Sequence, residues 1–211
     1  MTSVSSFDFG LTGFVSRFHQ DWRYEGTPLE LLGWLLGPET DPREVQALRS
    51  DAFLMRAGLT PTEVELLWCI GSDHTFGFGP DGAWPSGPDW LATIVRECDD
   101  WLSRHGSVGA EPDSAPHQGL ADVVAREVEA LTDGLPDARD PGGALRDALL
   151  RCNRSCSPDL ALRWCLRIAQ RCSWPIRRSQ YERLVALGDR FGYGEFVVTD
   201  AEYLTEYAPP A

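Results

Sequence analysis

The residues of this 211-residue chain whose types and spacing could do chemistry are few. A histidine stands beside a carboxylate in His19-Gln20-Asp21, four cysteines (Cys152, Cys156, Cys165 and Cys172) fall close together, and Gly77-Phe78-Gly79 is a short glycine repeat. Acid–base work by His19 and Asp21 is disfavoured because positions i and i+2 of a helix point apart, and no second motif supplies a nucleophile or an oxyanion site. We read the pair as capping backbone groups where a first helix ends, with Trp22 filling core. Four thiolates can hold zinc, but metal knuckles use a two-residue spacing and these cysteines sit among Leu149, Leu150, Trp164 and Leu166, so buried packing is expected. The glycine repeat lacks both the strand–loop–helix setting and the lysine of a phosphate loop. Carboxylates are plentiful, yet no pair stands out. The expectation is a chain with no catalytic residue, no cofactor and no metal.

Aromatic residues near acids remain. Phe76, Phe78 and Trp84 share the stretch 72–87 with Asp73, His74 and Asp81, and a following helix offers Asp89, Glu97 and Asp100 on its outer face. Aromatic anchors ringed by acid suit a protein-binding patch, so these nine residues form the expected docking surface. The competing reading is that the aromatic loop folds back onto the core.

The elements that must position these residues are helical. Thr27-Pro28-Leu29-Glu30, Asp41-Pro42-Arg43-Glu44 and Thr60-Pro61-Thr62-Glu63 each place an oxygen-bearing cap, a proline at the first helical position, and a glutamate able to reach back to the cap. They predict helices over 28–36, 42–57 and 61–70, closed by left-handed glycines at Gly37, Gly58 and Gly71. Further helices are expected at 10–19 and 88–104, where Leu91, Ile94, Val95, Cys98, Trp101 and Leu102 recur at helical spacing, and at 119–133, 141–154, 158–172 and 176–190. A short extended piece at 192–198 and a helical turn at 201–207 complete an all-α expectation. Glycine, proline and serine concentrate in 106–118, which is read as a linker between domains 1–105 and 119–211.

Charge sharpens the expected partners. The net charge is −13, every basic residue is arginine, and residues 1–110 carry −9 of the total. Such a surface repels nucleic acid and anionic lipid and attracts basic proteins. No basic region followed by an apolar stretch opens the chain, so a cytoplasmic protein with reduced thiols is expected.

Phe18-His19-Gln20-Asp21-Trp22 closing a first helix, then short helices, an Ile70-Gly71 step, an aromatic loop ending at Gly87, and Asp89-Trp90-Leu91 opening a helix resemble the immunity proteins of contact-dependent growth inhibition systems. The resemblance covers roughly residues 7–104. It implies an all-α domain that binds and neutralises a cognate toxin and catalyses nothing, with Phe18, His19, Gln20, Asp21, Trp22, Trp90 and Leu91 as framework. Members of that family are about as long as the first half, and loop 72–87 is longer and more aromatic than theirs. Residues 119–211 resemble no family known to us. The alternative function is a helical adaptor whose C-terminal half sets its partner.

Overall fold

The computed structural model describes residues 5–105, 117–133 and 141–207. Among them the chain is all-α, with α1 (Gly10–Val15), α2 (Trp22–Glu25), α3 (Pro28–Leu35), α4 (Pro42–Gly58), α5 (Pro61–Gly71) and α6 (Gly87–Arg104) in the first half. The second half has α7 (Ala121–Thr132), α8 (Ala144–Ser155), α9 (Pro158–Arg171), α10 (Arg178–Phe191) and α11 (Phe196–Thr199), with single 3₁₀ turns at Gln118–Leu120, Pro141–Gly143 and Glu202–Tyr207. The expected first helix over 10–19 is shorter, and Trp22–Glu25 forms a separate turn of helix. The piece expected to be extended is instead the left-handed close of α10 at Gly192 followed by α11.

Local chemistry accounts for the starts of α3, α4, α5, α6 and α9. Thr27 and Thr60 form complete capping boxes: the Glu30 amide donates to the Thr27 hydroxyl at 3.3 Å, while the Thr27 amide donates to the Glu30 carboxylate at 2.7 Å. Glu63 and Thr60 repeat the arrangement. Ser86 and Ser157 cap α6 and α9. The third expected box does not close, because Asp41 accepts from the Arg43 amide at 2.8 Å and Glu44 does not reach back.

The glycines at 37, 58 and 71 do not take the left-handed conformation expected of them. Gly58 and Gly71 are needed for another reason, close approach between the two halves. A Cβ on Gly58 would lie 2.7 Å from the Cys156 sulfur, and one on Gly71 would lie 2.6 Å from the Trp164 ring.

That approach belongs to a single shared core. Phe14, Phe18, Trp22, Trp68, Phe76 and Trp90 pack edge-on or tilted against one another around α1, α5 and α6. This cluster runs without a break into Trp164, Leu160 and Leu162 of α9. Helix α9 is buried almost all round, as an interior helix must be, and packs on α1, α5, α7 and α8. The Trp164 indole donates to Met55 of α4 at 3.0 Å, the Arg167 Nε to the Gly71 carbonyl at 3.3 Å, and the Phe196 amide to the Ser6 carbonyl at 2.8 Å. The described residues of the two halves, expected as domains 1–105 and 119–211, therefore share one continuous core. Most of the expected linker, 106–116, lies outside the described residues.

Within the core sits one buried ionic knot. Arg163 of α9, whose side chain is 1 % exposed, makes two 2.9 Å bonds to Asp51 of α4 and bonds of 2.8 and 3.2 Å to Asp159. It also donates to the Phe9 carbonyl and to Thr12, both at 3.0 Å, and stacks over the Phe9 ring at 4.3 Å. Burial opposes its charge, but Asp159 and Asp51 hold the guanidinium well above its usual range. Burial pushes Asp51's own carboxyl up, against the pull of Arg163.

Two outcomes follow from the shared core. Arg163→Ala strands the buried Asp51 carboxylate and the half-buried Asp159 and should lower unfolding free energy by about 3–5 kcal/mol, read from urea titration. Replacement at no measurable cost would show the knot to be dispensable. Severing the chain at an engineered protease site between residues 106 and 116 should leave two pieces that co-elute in native buffer and unfold in one transition. Independent melting of each purified piece would restore the two-domain reading.

Candidate functional site

Of the nine residues expected to form the docking surface, the structure turns the aromatic ones inward. Phe76 is fully buried at the centre of the aromatic cluster, so it cannot serve as an exposed anchor. Phe78 and Trp84 pack half-buried against it and against Trp90, bridged across the loop by backbone pairing. The loop thus folds back onto the core. Its acids stay outside: Asp73, Asp81, Asp89 and Asp100 are exposed. Asp89 is occupied in the α6 cap, accepting from Ser86 at 2.7 Å, and Glu97 pairs with Arg96 at 3.0 Å.

Asp73 and His74 both take positive φ, 56° and 59°, which non-glycine residues seldom adopt. The turn closes α5, with the His74 amide donating to the Cys69 carbonyl at 2.7 Å. It brings the His74 Nδ1 within 3.2 Å of the Cys69 sulfur. Burial pushes the Cys69 thiol up rather than down, which leaves it a poor nucleophile.

The His19-Gln20-Asp21 segment sits where α1 gives way to α2. His19 accepts from the Asp21 amide at 3.2 Å through Nδ1 and meets Glu25 at 3.0 Å through Nε2. Asp21 makes no side-chain cap, and Gln20 and Asp21 are exposed. Phe18, Trp22, Trp90 and Leu91 are buried, and the Trp22 indole donates to the Thr75 carbonyl at 3.3 Å. Cys98, Cys152, Cys156 and Cys165 are buried thiols, and burial pushes Cys98 and Cys165 up to about 12. Cys172 is half-buried. No group of three or more His, Cys, Asp or Glu side chains among the described residues is placed to hold a metal.

A different surface now stands out. On α3, Pro28, Leu31, Leu32 and Leu35 occupy the inward arc of the helix, which leaves Leu29, Glu30, Gly33 and Trp34 on the opposite arc. Trp34 is 59 % exposed, Leu29 44 %, and Tyr24 on the preceding turn 91 %. The segment 21–44 that carries them has six acids and two arginines. The signal was present in sequence: a helical wheel drawn on 28–35 places Leu29 and Trp34 opposite the leucine face.

Behind α3 lies a cavity of about 490 Å³, between α1, α3 and α4. Its apolar wall is Phe14, Leu35, Leu36, Val45 and Leu48, and its titratable lining is Asp8, Arg17, His19, Glu25 and Glu44. Asp8 accepts from Thr12 at 2.7 Å and from the Phe9 amide at 3.0 Å. Burial raises its carboxyl pKa despite Arg163 nearby.

No protein-family model, no curated protein and no solved structure matches this chain.

The raised Asp8 pKa has a definite sign in stability. The folded state holds this proton more tightly than the unfolded chain does, so Asp8 costs stability as pH rises from the ordinary carboxylate range through its folded value. Asp8→Asn keeps an acceptor for Thr12 but cannot ionise. The variant should gain stability relative to the parent between pH 4 and 7, seen as diverging melting temperatures. Parallel curves would mean that Asp8 does not titrate in this range.

Proposed function

We propose that this protein is a non-enzymatic immunity protein that captures a basic toxin domain, and that the toxin docks on the face formed by α2 and α3. The observation that carries the reading is the exposure of Tyr24, Leu29 and Trp34 on a stretch, 21–44, with six acids and two arginines. Large apolar side chains left at water beside carboxylates form an interface patch: the aromatic anchors supply buried area, and the rim charge supplies encounter rate. A capping box and an inward leucine face hold α3 rigid, so little ordering cost accompanies binding. The motif Phe18 to Trp22 supports the same reading through the resemblance it carries, with Phe18 and Trp22 as framework beneath the face.

No described helix is long and apolar enough to cross a membrane. In this reading the protein acts in the cytoplasm of the cell it protects, where the toxin would otherwise reach its target.

The reading expects a toxin domain to be encoded beside this gene, and the test uses that domain. Co-expression should protect cells, and the purified proteins should bind one to one. Trp34→Ala and Tyr24→Ala should each weaken affinity by roughly 10- to 100-fold while leaving the melting temperature unchanged, as truncated anchors do. Wild-type protein that neither binds nor protects would sink the immunity reading. Binding without protection would favour the adaptor, and loss of binding only on substitution beyond residue 119 would move the face to the second half.

A further inference from the structure

We propose that the cavity between α1, α3 and α4 is a socket for a long basic side chain, an arginine or lysine presented by the partner protein. The inference rests on the partner proposed above; Glu25, Leu35 and Leu36 line the cavity from the α2–α3 segment, on the side of α3 opposite Leu29 and Trp34.

Three features of the lining select this occupant. The volume, about 490 Å³, falls within the range of ligand pockets and admits a long side chain with room for its neighbour. The wall of Phe14, Leu35, Leu36, Val45 and Leu48 calls for an apolar stem, which a metal ion lacks and which both basic side chains carry beneath a charged head. The charged lining is predominantly acidic: Asp8, Glu25 and Glu44 face Arg17 and His19, and His19 is already engaged with Glu25 at 3.0 Å.

Glu44 is the decisive residue. Its place in Asp41-Pro42-Arg43-Glu44 is that of a capping-box glutamate, and the equivalent Glu30 and Glu63 both close their boxes. Glu44 does not. It lines the cavity half-buried, with no side-chain hydrogen bond or ion pair to any described residue. Glu44 feels the charge of the neighbouring Arg43 but is not hydrogen-bonded to it, so its carboxylate is open to a guanidinium or ammonium arriving on an apolar stem. Asp8 contributes less, since its hydrogen bonds go to Thr12 and the Phe9 amide. Glu25 and Glu44 are thus the recognising pair, and Arg17 on the same lining disfavours a second cation.

The experiment needs no toxin. The full chain is titrated with n-butylguanidinium and n-butylammonium, which mimic the two side chains, and with butyrate and butanol as controls, following the methyl NMR signals of Leu35, Leu36, Val45 and Leu48. Saturable shifts with the cations at millimolar concentration, at least fivefold weaker in Glu44→Gln and in Glu25→Gln and absent with butyrate, are expected. Equal shifts with butanol, or cation binding indifferent to both substitutions, would overturn the socket. If the cations bind as described while the toxin does not bind, the socket stands and the immunity reading falls. If the toxin binds with unchanged affinity to the Glu25→Gln/Glu44→Gln double variant, the socket is not part of that interface and the proposal fails on its own.

Discussion

The burial of Arg163 constrains everything around it. A guanidinium taken out of water must find all its partners inside, and here they come from three places far apart in sequence: Phe9 and Thr12 in and before α1, Asp51 on α4, and Asp159 one turn back on α9. Hydrophobic contacts between helices tolerate sliding, whereas a fork of donors matched to a carboxylate does not. The knot therefore fixes the register of α9 against α1 and α4. Gly10 belongs to the same constraint. Its φ of 59° and the closeness of the Asp51 carboxylate leave no room for a side chain, and the next amide, that of Leu11, donates to Asp51 at 2.9 Å.

How far the fold was legible follows from the range of the forces involved. Helix starts are local: a threonine, a proline and a glutamate within four residues specify a cap, and Thr27 and Thr60 do so. Helix ends and the union of the halves are not local. Gly58 and Gly71 resemble helix terminators because sequence cannot show that Cys156 and Trp164 press against them. The same holds for Arg163 and Arg167, which on α9 look like ordinary solvent-facing arginines until the other helices surround them. The Gly/Pro/Ser stretch at 106–118 suggests a domain boundary by composition alone, but composition carries no information about whether the flanking helices share a core.

The aromatic part of the expected surface turns inward for a related reason. Counting aromatics in an irregular loop weighs Phe76, Phe78 and Trp84 heavily, yet irregular backbone rich in glycine is also what allows a chain to fold aromatics inward. The backbone pairing of Phe78 with Trp84 does this, placing Phe76 against Phe18 and Trp22. The exposed residues of α3 were legible by a stricter rule. A helix with one face of leucines has already satisfied the core, so a tryptophan on the other face has no structural employment.

The two ideas meet in the distribution of charge. The buried Arg163 is matched by Asp51 and Asp159 and the exposed Arg183 by the buried Glu127, whereas the buried Arg167 donates to the Gly71 carbonyl. Other arginines of the first half are matched at its surface, Arg49 by Asp99 and Arg96 by Glu97. What remains unmatched is weighted toward acid, and Glu44 is its clearest case, a carboxylate released from capping and set against an apolar wall. A field of that sign draws in any basic protein and cannot by itself choose among them. Choice requires a shape that only one arrangement of side chains fills, and the cavity behind α3, walled by Phe14, Leu35, Leu36, Val45 and Leu48, adds that shape to the charge. Selectivity would then reside in the neutral walls of the site, while the acids set how often partners arrive.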